Sequence, residues 1–89
     1  MARIAQSKTN RQIADKILEI LSERNEGTTI CPSEVARAIE KDDWRDLMDQ
    51  VRTVADDLRE KKKIQITQRG KPIASAVEAR GPIRLRLTR

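Results

Sequence analysis

The sequence predicts an α+β fold in which three helices precede a small antiparallel β-hairpin. Two observations lead to this prediction. Apolar residues recur at helical spacing in three segments of the first 60 residues, and this spacing places them on one face of each helix. After residue 63 the period changes to two, which is typical of strands with one buried face.

The first helix is predicted from Thr9 to about Asn25. Thr9 and Gln12 match a capping box, in which two side chains satisfy free N–H groups at a helix start. The apolar residues of this helix are Ile13, Ile17, Ile20 and Leu21. Gly27 is expected to end the helix, because glycine adopts positive φ angles without strain.

The second and third helices follow after a short β-prone segment, residues 28–30. The second is expected to begin at Pro32, whose missing N–H costs nothing in a first turn, and to end near Glu40. Its predicted buried stripe is Val35, Ala38 and Ile39. The third helix has the clearest periodicity, with apolar residues Trp44, Leu47, Met48, Val51, Val54, Ala55 and Leu58. Asp43 is expected to cap this third helix.

Two strands are predicted around one long loop. Ile64 and Ile66 alternate with polar residues in the first strand, and the apolar residues of the second are Ile83, Leu85 and Leu87. Residues 68–82 contain two glycines and two prolines, which predicts a loop. Three helices followed by such a hairpin indicate a winged helix-turn-helix, with the third helix as recognition helix and residues 68–82 as wing.

The length of 89 residues supports one modest core. Residues 9–89 are therefore expected to form a single domain, and residues 1–8 a flexible N-terminal arm. No apolar run in the sequence is long enough to span a bilayer, and its start lacks the apolar stretch of a signal peptide. The single cysteine cannot form an internal disulfide, so a cytoplasmic location is the default expectation.

Catalytic chemistry is not expected. The chain has no histidine, which removes the usual general base and the commonest metal ligand. Cys31 thus lacks an imidazole partner and is interpreted as a small apolar residue at a strand end. The acidic cluster Asp42, Asp43, Asp46 and Asp49 lacks the spacing of a calcium loop. The sequence therefore predicts no enzyme, cofactor, metal site or small-molecule substrate.

The positive charge is concentrated near the C-terminus. The net charge is +5, and residues 63–89 carry seven basic side chains but only one acidic side chain, Glu78. Such asymmetry favours a polyanionic partner. The predicted contact residues for duplex DNA are Arg69, Lys71, Arg80, Arg84, Arg86 and Arg89. The alternation of the last strand places Arg84 and Arg86 on one face, away from the core, where they either contact DNA or form a charged edge that prevents aggregation.

The third helix is a poorer candidate for contact with phosphate. Its start carries the four aspartates of the acidic cluster against Arg45 alone. Arg45, Arg52 and Arg59 share a face, but an aspartate lies four residues after each of the first two. This spacing predicts ion pairs within the helix. Trp44, the only aromatic residue, is expected in the core, which disfavours base stacking on single-stranded nucleic acid.

An alternative function is a protein-interaction or dimerisation module without nucleic-acid binding. It would use the acidic face of the third helix, or the exposed side of the first helix together with Ile4. The cations before that helix, Arg3, Lys8 and Arg11, are expected to lie in a frayed terminus or a basic arm.

The chain also resembles a bacterial family catalogued as domain of unknown function 3253. The residues that carry the resemblance are 29–37, Trp44-Arg45, Leu47-Met48, Val51-Arg52, 64–70 and 80–85, which together span roughly residues 13–87. The resemblance implies a winged-helix-like fold and no assigned activity. The chain departs from the family pattern at Lys62, where a glycine is usual, and at residues 73–77, where an Asp-Pro turn is expected.

Overall fold

The computed structural model describes residues 9–25 and 27–88 and has the predicted α+β class. Its helices are α1 (Asn10–Ser22), α2 (Pro32–Ile39), a 3₁₀ helix (Trp44–Leu47) and α3 (Met48–Glu60). Its strands are β1 (Ile64–Gln68), β2 (Lys71–Ile73) and β3 (Arg84–Leu87). The predicted arm, residues 1–8, and Arg89 lie outside the described residues. No helix in the described ranges is long and apolar enough to cross a membrane.

The start of α1 confirms the predicted capping box. Thr9 Oγ1 accepts a hydrogen bond from Gln12 N at 3.1 Å, and Gln12 Oε1 accepts one from Thr9 N at 2.9 Å. The prediction that this helix reaches Asn25 is wrong, because α1 ends at Ser22. No apolar residue follows Leu21 at helical spacing, so a longer helix would bury nothing further. Arg11 lies exposed within α1, not in an arm before it.

The bounds of α2 agree with the prediction, and its buried stripe agrees in part, since Ile39 packs against the core. Val35 and Ala36 are fully buried, whereas Ala38 is exposed. The third predicted helix divides into the 3₁₀ helix and α3. Asp43 occupies the N-cap position of the 3₁₀ helix, but its side chain makes no capping hydrogen bond, so the predicted cap is wrong. Its backbone φ of −105° and ψ of 28° differ from the extended conformation of a capping residue.

The sheet has the strand order β2-β1-β3, and both pairs of strands are antiparallel. β1 and β3 match the two predicted strands to within one residue. β2 was not predicted, because it is three residues long and contains Pro72. It pairs with β1 through Ile73 and Ile66. Residues 68–82 are therefore a tight β1–β2 hairpin followed by a loop, which we call the 74–82 loop.

A single cluster of buried apolar residues joins the helices to β1 and β3. Its members are Ile13, Ile17, Leu21, Ile30, Val35, Ala36, Leu47, Val51, Val54, Ala55, Leu58, Ile64, Ile66, Ala76, Ile83 and Leu85. Ile30 forms an antiparallel bridge with Leu85. Because Ile66 and Leu85 face the core, the alternating residues Gln65, Arg84 and Arg86 lie on the opposite side of the sheet, which we call the outer sheet face.

Candidate nucleic-acid interface

The hairpin between β1 and β2 turns through only two residues, Arg69 and Gly70. Their φ angles are +54° and +83°, and two successive residues with positive φ make the type I′ turn that suits a twisted hairpin. Glycine adopts this conformation freely, whereas an arginine pays a steric cost. Arg69 and Lys71 are both exposed. The sharp turn therefore projects two cations from one end of the sheet.

Arg80 is held at the same end of the sheet by the last residue of β1. Gln68 Nε2 donates to Arg80 O at 2.5 Å and to Pro82 O at 3.2 Å. Since Gln68 pairs with Lys71 at the base of the turn, these bonds bring the backbone of residues 80–82 beside the hairpin. The Arg80 side chain is exposed. Arg69, Lys71 and Arg80 thus form a group that we call the basic tip.

Arg84 is exposed on the outer sheet face, as the alternation predicts, but its guanidinium is occupied. Its Nε donates to Thr29 Oγ1 at 2.9 Å, its Nη1 to Cys31 Sγ at 2.8 Å, and its Nη2 to Thr29 O at 3.2 Å. These bonds lie beside the bridge between Ile30 and Leu85. Arg84 therefore joins the segment before α2 to β3, and its expected contact with DNA stays a prediction.

Arg86 lies on the same face, opposite Gln65 in the β1–β3 register. It is half-buried, and its Nε is buried without a hydrogen-bond partner in the part of the chain that the structure describes. Arg86 thus contributes charge to the outer sheet face, at a position that pairs three residues before the end of β1 that carries the basic tip.

The 74–82 loop lies against α3 and forms hydrogen bonds with Arg52 and Asp56, the two side chains that were expected to pair with each other. Arg52 Nη1 donates to Ala76 O at 2.9 Å and to Ala79 O at 3.3 Å, and its Nη2 donates to Gly81 O at 3.3 Å. Asp56 accepts from the backbone N–H of Ala76 at 2.5 Å. The predicted Arg52–Asp56 ion pair within the helix is therefore wrong.

The beginning of the third helical segment also differs from expectation. Trp44 packs against the core but is only half-buried. The guanidinium carbons of Arg37 and Arg45 lie 4.3 and 4.4 Å from its ring centroid, within the range of a cation–π interaction. Arg45 thus stacks on Trp44, where the sequence predicted a pair with Asp49. Asp42, Asp43, Asp46 and Asp49 are all exposed, so this end of the helix presents mainly negative charge.

Cys31 is half-buried at the N-cap position of α2, where its side chain makes no capping bond. Its contact with Arg84 was not foreseen, because the two residues are 53 positions apart. In the described residues no group of three or more Asp, Glu, Cys or His side chains is arranged to hold a metal ion.

Comparison with known protein families identifies the family of this chain. No curated protein matches the chain. The model of the family described as "Protein of unknown function (DUF3253)" matches residues 10–88, which include α1 to α3 and the whole sheet. The chain therefore belongs to this family.

Proposed function

We propose that this domain is a winged helix-turn-helix that binds duplex DNA through the basic tip, without catalysing a reaction. The order of elements supports the proposal. The segment around Ile30, between α1 and α2, bridges to β3, the last strand of the sheet. Three helices with such a sheet resemble the arrangement of winged domains. Because a fold alone does not establish a function, the argument depends on the charged surface.

The observation that carries the proposal is the exposure of Arg69, Lys71 and Arg80 at one end of the sheet. Residues 64–88 contain a single carboxylate, Glu78, against five cations. Three exposed cations without a balancing acidic cluster attract the phosphate backbone of a duplex. A narrow two-residue turn carrying an arginine also suits a narrow minor groove.

The negative charge at the 3₁₀ helix and the start of α3 also favours binding at the basic tip over binding through this helix. Its exposed aspartates would face the phosphates if the helix lay in the major groove, and this contact is repulsive. Arg52, the central cation of α3, donates to the 74–82 loop. A duplex bound at the basic tip avoids the aspartates and leaves the loop in place.

The proposal is tested with a fluorescently labelled, mixed-sequence DNA duplex of about 24 base pairs. Binding by the parent protein is measured by anisotropy over a series of salt concentrations. We expect a dissociation constant of about 10⁻⁴ to 10⁻⁶ M at physiological salt, and a log–log salt slope near −0.9 for each phosphate contacted. Lys71→Glu with Arg80→Glu should abolish binding, because two attractive charges become repulsive.

The matched control is Arg11→Glu with Lys41→Glu, which changes the net charge equally at two exposed positions outside the sheet. This control should retain most of the affinity. An equal loss of affinity in the two double variants would show that binding depends on net charge and not on the basic tip. Absence of duplex binding by the parent protein at low salt would contradict the proposed function.

The alternative, a protein-interaction or dimerisation module, stays a prediction. Besides the acidic face of the third helical segment, one surface that could serve it is the groove between α1 and α3, lined in part by Ala14 and Leu18, both of which are half-buried. Among the described residues, Val77 is the only large apolar side chain that is clearly exposed, at 54%. A solution mass of the parent protein, measured beside the binding series, would reveal a dimer.

A further inference from the structure

The 74–82 loop is attached to α3 by an unusual concentration of hydrogen bonds. Asp56 Oδ2 accepts from Ser75 Oγ at 2.7 Å and from Val77 N at 3.4 Å, in addition to the Ala76 N–H on Oδ1. Ser75 Oγ in turn accepts from Glu78 N at 3.2 Å. On the other side of the loop, Arg52 donates to three backbone carbonyls. We call the contacts of Arg52 and Asp56 with the loop the loop latch.

The loop latch joins charged side chains to backbone groups of the opposite polarity. Asp56 accepts from N–H groups at the beginning of the loop, and Arg52 donates to carbonyl groups as far as Gly81. Hydrogen bonds with one charged partner are roughly twice as strong as neutral ones. Ala76, between the two side chains, is fully buried. The latch therefore holds the loop by polar contacts around one small apolar anchor.

Arg80 immediately precedes Gly81, whose carbonyl accepts a hydrogen bond from Arg52. Arg52 donates to the carbonyls of the residues on both sides of Arg80, Ala79 and Gly81. Gln68 donates to the carbonyl of Arg80 itself and to that of Pro82. Without these contacts Arg80 would sample many conformations. The affinity for a ligand would then be lowered by the entropic cost of ordering Arg80 on binding.

We propose that Arg52 and Asp56 are positioning residues, which keep Arg80 beside Arg69 and Lys71 so that the basic tip presents three cations together. The inference rests on the proposed function, because the partner of the tip is the phosphate backbone of a duplex. It adds a role for α3 in binding that requires no contact between α3 and DNA.

The first experiment examines the loop latch in the free protein. Asp56→Asn retains the shape of the side chain but loses the charge and one acceptor oxygen. We expect hydrogen exchange of the Ala76 and Val77 amides to become roughly tenfold faster or more, because their charged acceptor is lost. Asp49→Asn is the matched control, since it changes an exposed carboxylate about two turns away on the same helix. Unchanged exchange in Asp56→Asn would overturn the proposal.

The second experiment combines Asp56→Asn with Arg80→Ala in a double-mutant cycle on the same 24-base-pair duplex. Each single variant should lower the magnitude of the salt slope by about 0.9 and the affinity roughly tenfold at about 50 mM salt, as expected for one lost phosphate contact. The double variant should bind like either single variant, because both changes remove the same contact. Additive losses would show that Asp56 does not act through Arg80 and would overturn the positioning role.

A purely structural effect of Asp56→Asn is recognised by a thermal melt followed through Trp44 fluorescence. A variant that remains folded at the temperature of the binding series, yet has the smaller salt slope, supports positioning. If the parent protein binds no duplex, the proposed function and the positioning role both fail. The exchange of Ala76 and Val77 would then still decide whether Asp56 holds the loop.

Discussion

The arginines of the helical part of the molecule and those of the basic tip have different surroundings. Arg45 stacks on Trp44, and Arg52 donates to three loop carbonyls. Arg69 and Arg80 are exposed at one end of the sheet. An arginine with protein partners stabilises the fold, whereas an exposed arginine at a sharp turn adds charge without an evident structural gain. The difference separates structural cations from those available to a ligand.

Arg69 shows this difference most clearly. It has a φ of +54° in a turn where Asn or Gly would be less strained. A residue that breaks a local preference, and that has no compensating hydrogen bond or ion pair within residues 9–25 and 27–88, is a candidate for function. Arg84 is the opposite case, because it belongs to the same basic segment of the sequence but has three protein partners.

The largest expected effect is a loss of stability on changing β3, the strand that pairs with β1 and bridges to the segment before α2. Leu85 is fully buried, pairs with Ile66, and bridges to Ile30. Leu85→Ala should lower the free energy of unfolding by about 2–5 kcal/mol, as is usual for a buried leucine. Urea denaturation followed by Trp44 fluorescence measures this change. Leu87→Ala, at a half-buried position of the same strand, should cost less, and an equal cost would contradict the assigned core.

The second prediction compares two arginines of the basic segment. Arg84→Ala should lower the free energy of unfolding by about 1–2 kcal/mol, because three hydrogen bonds to Thr29 and Cys31 are lost. Arg80→Ala should change stability by less than about 0.5 kcal/mol. Equal destabilisation of both variants would contradict the distinction between Arg84, which stabilises the fold, and Arg80, which is available to a ligand.

The smallest expected effect has the opposite sign. Arg69→Asn should raise the free energy of unfolding by about 0.5–1 kcal/mol, since asparagine tolerates positive φ, and should weaken duplex binding. Lys62→Gly is the matched control, because Lys62 also has a positive φ, +63°, and carries the same charge outside the basic tip. It should stabilise the fold to a similar extent but leave the salt slope unchanged. A parallel loss of binding in Lys62→Gly would contradict the special role of the tip.

Periodicity in the sequence predicted the α+β class, the helix bounds within a few residues, and the positions of β1 and β3. These features depend on neighbouring residues, because one apolar face must be buried in each element. The same rule explains the errors. The α1 prediction extended past Leu21 on the strength of Gly27, and β2 was too short and too polar for alternation to identify.

The location of the basic tip was partly predictable as well. The concentration of cations in residues 63–89 indicated the segment that contains the basic tip, and Arg69, Lys71 and Arg80 are exposed. The sequence could not distinguish these three from Arg84, because strand alternation states which face a side chain occupies and not what it contacts. The partners of Arg84 come from a segment more than 50 residues away.

The sequence by itself determined the class of the fold and the charges of the acidic cluster and of the basic C-terminal segment, since all follow from the order of residue types along the chain. Only the tertiary structure decided which cations are available. Arg52 and Asp56 are neighbours on one helix face and match the pattern of an ion pair, yet each bonds to the 74–82 loop, 19 to 29 residues away. The loop offers several backbone groups to each charge, and these contacts form only when the packed sheet brings the loop against α3.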